Sequence, residues 1–154
     1  MERIYTLIGK IIENAQYIEY NLTTLVKCDY ILKEFDKQNE LSLSRYNQIV
    51  EEADNYASQL SNKTLGEIIY QLKQMNRLAS DEIDCLHKVL KTRNYLVHQY
   101  FKKNDFTNHY LDESFLKNEI NYLFNILTSM HNLNNSLARI IEYEQIELKN
   151  ITLK

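Results

Sequence analysis

A chain of 154 residues fits one domain, 1–154, and is long enough to bury a core of its own. With 44% hydrophobic and 25% charged residues it lies outside the disordered range, and a net charge of −3 offers no overall attraction for nucleic acid. Pro 0 and Gly 2 are too few for the many turns of sandwiches, barrels or α/β folds.

The expectation is therefore an all-α chain, a single antiparallel bundle of about four to five helices joined by short polar loops. No apolar run approaches the roughly 18 residues of a membrane span. The first residues, "MERIYTLIGKIIENAQ", carry Glu2 and Glu13 and no small-residue cleavage site, so they do not read as a signal peptide.

The first helix is predicted over about 3–35. Ile4, Ile8, Ile11, Ala15, Ile18, Leu22, Leu25, Asp29 and Leu32 recur in a 4-3-4-3 rhythm, a narrow seam interrupted only by Asp29. After a polar break at 36–42, a second helix over about 43–60 turns Tyr46, Ile49, Ala53, Tyr56 and Leu60 inward. Thr64 followed by Glu67 is a capping box for a short helix over 65–75, which buries Leu65, Ile68, Ile69, Leu72 and Met75. Ser80 or Asp81 caps the next helix, predicted over 81–103. A loop, "KNDFTNHYLDES", leads to a last helix over about 114–148, with Leu116, Ile120, Leu123, Leu127, Met130, Leu137 and Ile141 inside.

Cys28 and Cys85 stand far apart and have no zinc-type spacing, so they read as two buried free thiols in a reducing cytosol. Neither a metal site nor a cofactor site is predicted, and the chain reads as cytoplasmic. His87, His109 and His131 read as surface or structural histidines. The 12 tyrosines, spread over all the helices, read as core edges and not as a stacking platform for bases. Charge is less evenly spread. Between Asp84 and Asp105 there is no acidic residue, while Lys88, Lys91, Arg93, Lys102 and Lys103 fall in that interval.

The helix over 81–103 contains "KTRNYLVHQYF" (residues 91–101). On a wheel of 100° per residue with Arg93 at zero, Leu86, Leu90, Ile83, Val97 and Phe101 lie between about 20° and 80°. Val89 and Tyr100 lie about 40° and 20° to the other side. Arg93 is thus inside the apolar stripe, with Asn94, His87 and His98 on its border and Lys91, Lys102 and Lys88 beyond. One use of Arg93 is an ion pair with Asp29 in the first helix. The other is chemistry: a guanidinium binds phosphate oxygens in bidentate fashion and an imidazole moves protons near neutral pH, which together suit phosphodiester cleavage without a metal.

"RNYLVHQYF" resembles the signature of HEPN domains, an arginine and a polar residue followed after a few positions by histidine, matched by Arg93, Asn94 and His98. The extension to Tyr100 is similar to the Arg-x-x-x-x-His-x-Tyr form of HepT-type toxins, which are paired with a nucleotidyltransferase antitoxin. The resemblance is specific over residues 64–101. It implies a metal-independent endoribonuclease, the toxin of a toxin–antitoxin or anti-phage module, that acts as a homodimer with the motif helices of two protomers facing each other. Arg93 would hold the scissile phosphate of RNA, His98 would act as general acid or base for attack by the 2′-hydroxyl, and Asn94 would orient the imidazole or the phosphate. Lys88, Lys91 and Lys102 would contact RNA, and Tyr100 matches the tyrosine to which the antitoxin transfers AMP. The family also contains non-catalytic helical dimers that bind a nucleotide or a protein partner, and that alternative stays open here.

Overall fold

The computed structural model describes residues 1–38, 42–76, 78–109 and 111–152. The described residues form helices and no strand: α1 (Glu2–Asp36), α2 (Leu43–Ser61), α3 (Leu65–Met75), α4 (Ser80–His98), α5 (Tyr100–Lys103), α6 (Phe106–His109) and α7 (Glu113–Thr152). Part of the predicted polar break, 39–41, and Tyr110 of the predicted loop lie outside the described residues. No helix among the described residues is long and apolar enough to cross a membrane.

The chain divides into two compact units, one built from Met1–Ile18 with Ala79–Asn134, the other from Glu19–Leu78 with the segment from Asn135 onward. α1 and α7 each contribute a stretch to both. Every position of the α1 seam is buried, from Ile4 (0% exposed) to Leu32, including Asp29 at 3%. Asp29 takes a partner from its own helix, the Lys33 ammonium at 2.7 Å one turn on, which the seam pattern did not reveal. A carboxylate at that depth is costly without such a cation.

In the second unit, Phe35 stacks on Tyr46, the Tyr30 hydroxyl donates to Glu52 at 3.2 Å, and Lys27 pairs with Asp54. Residue numbers fall along α1 as they rise along α2, so these two stretches run antiparallel. Ile31, Phe35, Ile49 and Ala53 form a core cluster against which Leu148 and Ile151 of α7 pack. The capping box at the start of α3 is present: the Thr64 hydroxyl accepts the Glu67 N–H at 3.4 Å, and the Glu67 carboxylate accepts the Thr64 N–H at 2.8 Å. The Thr64 N–H foremost, and the Thr64 hydroxyl that also donates to the carboxylate at 2.8 Å, hold the Glu67 carboxyl below its ordinary value. The stabilisation is thus complete above the unfolded carboxyl's pKa and is lost as pH falls through the lower folded value. Replacing Thr64 with alanine is expected to cost about 1 kcal/mol, measured as a lower urea midpoint at unchanged slope. α3 ends on Asn76 at φ 54°, the left-handed conformation that asparagine tolerates better than most residues.

The first unit holds the motif. Cys85, Lys88, Val89 and Thr92 of α4 share a groove with Leu133, Met130, Ser129 and Ile126 of α7, and Tyr100 reaches Glu119 further along, so α4 and α7 run antiparallel. Asn134 donates its side-chain amide to the Asn14 carbonyl at 3.1 Å and to the Asn14 side chain at 3.3 Å, fixing α7 to α1.

Three expectations are corrected here. The N-cap of α4 is Ala79, not Ser80 or Asp81. Alanine has no side-chain acceptor, and Glu82 compensates by accepting the Ala79 N–H at 2.8 Å. The predicted helix over 81–103 is broken at Gln99, and the predicted loop after it contains one helical turn, α6.

Cys28 is buried as expected, but Cys85 is exposed, one step outside the buried stripe of Ile83, Leu86 and Val89. Burial, aided by the Glu144 carboxylate, pushes the Cys28 thiol up to about 11. A thiol reagent at neutral pH is therefore expected to label Cys85 in the folded protein and to leave Cys28 untouched until denaturant is added, because the thiolate is the reacting species. Peptide mass spectrometry reads the outcome, and prompt labelling of Cys28 would contradict it.

Candidate active site

The site is built on the last two turns of α4 and the break that follows. Leu96 is 3% exposed and Tyr100 is 1% exposed, whereas Val97 and Phe101, both placed in the stripe by the wheel, are 49% and 43% exposed. The buried face therefore turns toward Leu96 and Tyr100 at this end, and Val97 joins the outer face. Arg93 is half-buried, and Asn94 and His98 are exposed. The Arg93 guanidinium donates through Nη1 to the Asn94 Oδ1 at 3.5 Å, a long hydrogen bond that aligns the two side chains. His98 is the last residue of α4, and its side chain makes no hydrogen bond among the described residues.

Gln99 then leaves helical geometry at φ −131°, ψ −23°, although its N–H still reaches the Tyr95 carbonyl at 2.9 Å. Its own carbonyl accepts from Lys102 and Lys103 at 3.0 and 2.9 Å, starting the short turn α5. Tyr100, just after this displacement, lies in the interior. Its hydroxyl donates to the Glu119 carboxylate of α7 at 2.7 Å, and its ring meets those of Tyr95, Phe101 and Phe106 edge-on or tilted. The Asn104 side chain closes the turn, donating to the Tyr95 hydroxyl at 3.2 Å and the Tyr100 carbonyl at 3.0 Å. Burial, with the Glu119 carboxylate beside it, pushes the Tyr100 phenol far above its ordinary value, so it stays a protonated donor. The expected acceptor of AMP is thus a closed-in hydroxyl that must leave Glu119 before it can react.

The structure brings Arg93 and Asn94 together, sets His98 one turn on in solvent, and separates all three from Tyr100 by the break. The predicted RNA-contacting lysines are exposed but do not share one depression. Lys88 lines the α4–α7 groove, and Lys102 lines a depression of about 560 Å³ with Tyr5, Phe101, Lys103 and Phe106. His87 and His131 are surface residues. His109, also exposed, lies 3.7 Å from Asp112 and stacks on Phe115. Among the described residues no group of three or more His, Cys, Asp or Glu is placed to hold a metal ion.

Two contributors were missed by the sequence reading. Glu119 carries no local signal, since it meets Tyr100 only through the antiparallel return of α7. Tyr5 belongs to the exposed side of α1 and becomes part of this region only by stacking on Phe101.

Set against known protein families, characterised proteins and solved structures, the chain shows no match.

Proposed function

We propose that this chain is a metal-independent endoribonuclease of the HEPN type, the toxin of a toxin–antitoxin or anti-phage module, working as a homodimer. The observation that carries the reading is the placement of Arg93, Asn94 and His98 on the accessible flank of α4, while the adjoining Leu96 and Tyr100 are buried. A phosphodiester site needs its cation and its proton carrier where a strand can reach them, held by groups that do not move.

In the proposed reaction, His98 takes the proton of a ribose 2′-hydroxyl as that oxygen attacks the adjacent phosphorus. Arg93 binds the non-bridging oxygens and stabilises the charge that grows on them. The P–O5′ bond breaks, the 5′-oxygen receives a proton from an imidazolium, and the products are a 2′,3′-cyclic phosphate and a 5′-hydroxyl. Asn94 keeps the guanidinium in register through its Oδ1. In the proposed dimer a second protomer covers this flank, and its His98 is then available as the acid.

The experiment is incubation of purified protein with RNA in excess EDTA. Cyclic-phosphate ends are expected. Absence of cleavage over a range of RNAs would reject the enzyme in favour of a non-catalytic dimer that binds a nucleotide or protein partner. The use of Arg93 in an ion pair with Asp29 is tested separately, since it requires that Arg93→Ala and Asp29→Ala both destabilise the fold by several kcal/mol.

A further inference from the structure

Tyr5 and Phe101 stack on one another with ring centroids 5.3 Å apart and planes 28° from parallel, yet they stay 57% and 43% exposed. Single exposed aromatics are common on protein surfaces. A stacked pair at the wall of an open depression of about 560 Å³, with Lys102 and Lys103 on the same wall, is a more specific arrangement. The pair is also braced. Phe101 meets Tyr100 edge-on at 5.2 Å and Phe106 at 5.4 Å, and Phe106 meets Phe115 at 5.3 Å, so the exposed rings rest on a fixed aromatic foundation. Neither lysine forms an ion pair among the described residues, although Lys103 stands 5.9 Å over the Tyr95 ring. The one carboxylate lining the depression among the described residues, Asp105, is engaged by the Asn108 backbone N–H and side-chain amide, at 3.2 and 2.5 Å. Thr107 adds a hydroxyl.

Flat rings open on one side, with cations at the rim, are what an unpaired nucleotide requires: the base stacks and its phosphate meets an ammonium. We propose that the Tyr5–Phe101 stack, with Lys102 and Lys103, is a binding subsite for single-stranded RNA that accepts one unpaired base and an adjoining phosphate. Phe101 follows His98 by three residues, so the subsite flanks the scissile position and selects cleavage next to unpaired nucleotides. This deepens the ribonuclease reading and rests on it, but binding at the subsite can be measured without cleavage.

The probe is a short 2′-O-methyl single-stranded oligoribonucleotide, which has no 2′-hydroxyl to attack and so remains intact. Its affinity is read by fluorescence anisotropy, alongside sedimentation of the protein. Tyr5→Ala is expected to weaken binding roughly tenfold, the effect of losing one stacked base, and Tyr5→Trp to keep it. Lys102→Ala with Lys103→Ala is expected to reduce the salt dependence of binding by about one to two units of slope. An RNA duplex should bind Tyr5→Ala and wild type equally.

Unchanged oligonucleotide affinity in Tyr5→Ala overturns the subsite, as does dissociation of an oligomer in that variant, which would make the aromatic pair an interface between copies. Tight, Tyr5-dependent binding by a protein that never cleaves RNA upholds the subsite and rejects the ribonuclease reading. Cleavage that is indifferent to Tyr5 does the reverse.

Discussion

Replacing His98 with alanine is expected to lower RNA cleavage by about 10²- to 10⁴-fold, the usual contribution of a positioned general acid–base group. The melting temperature should hold, because the His98 side chain is exposed and has no hydrogen-bond partner among the described residues, and such surface substitutions change stability by about 0.5 kcal/mol or less. The pair of readouts matters. Lost activity with unchanged stability places His98 in the chemistry, whereas undiminished cleavage would remove it from the mechanism altogether. Arg93→Lys is the companion variant. It keeps the charge and removes the planar fork that grips two phosphate oxygens at once, so cleavage should fall about 10²-fold or more if the guanidinium stabilises the developing charge.

The largest stability effect is expected at Tyr100. Its side chain is 1% exposed and ringed by Tyr95, Phe101 and Phe106. Tyr100→Ala leaves a cavity of aromatic size and should cost about 3–5 kcal/mol, a large share of the 5–15 kcal/mol that separates folded from unfolded domains. Tyr100→Phe isolates the hydroxyl. The ring is kept, but the part-buried Glu119 carboxylate loses its 2.7 Å donor, at an expected cost of about 1–3 kcal/mol. Adding Glu119→Gln to Tyr100→Phe should recover part of that loss, because a neutral amide tolerates an absent donor better than a carboxylate does. Urea unfolding of wild type, Tyr100→Phe, Glu119→Gln and the double variant gives the coupling between the two groups. A Tyr100→Phe variant as stable as wild type would mean that the hydrogen bond adds nothing to the fold.

The helices themselves were legible because burial follows period. The α1 seam from Ile4 to Leu32 is inside at every position read from its rhythm, and α3 starts at the Thr64–Glu67 box. What escaped was set by partners distant in sequence. No glycine or proline marks the break at Gln99. Just beyond it Tyr100 meets Glu119, nineteen positions on, and no wheel drawn on one helix contains that residue. Leu96 is buried and Val97 exposed within α4 itself, before the break, because its buried face runs through Val89 and Leu96. The start of α4 was misread for a related reason: only the Glu82 half of the cap is present, and Ala79 has no side chain to announce it. Tyr5 was invisible as a site residue, since its companion Phe101 lies some ninety-six residues away.

The break at Gln99 has a consequence for heredity. It divides one short motif between two kinds of mutational outcome. Changes at Asn94 or His98 meet solvent and those at Arg93 a half-buried position, while changes at Tyr100 meet the interior. Under the proposed toxin reading, a cell that must silence this gene has two separate exits: an allele that leaves an intact, inert protein, and an allele that clears the protein by unfolding it. An inert copy of the first kind still competes for whatever the surface binds; a copy of the second kind vanishes with its contacts.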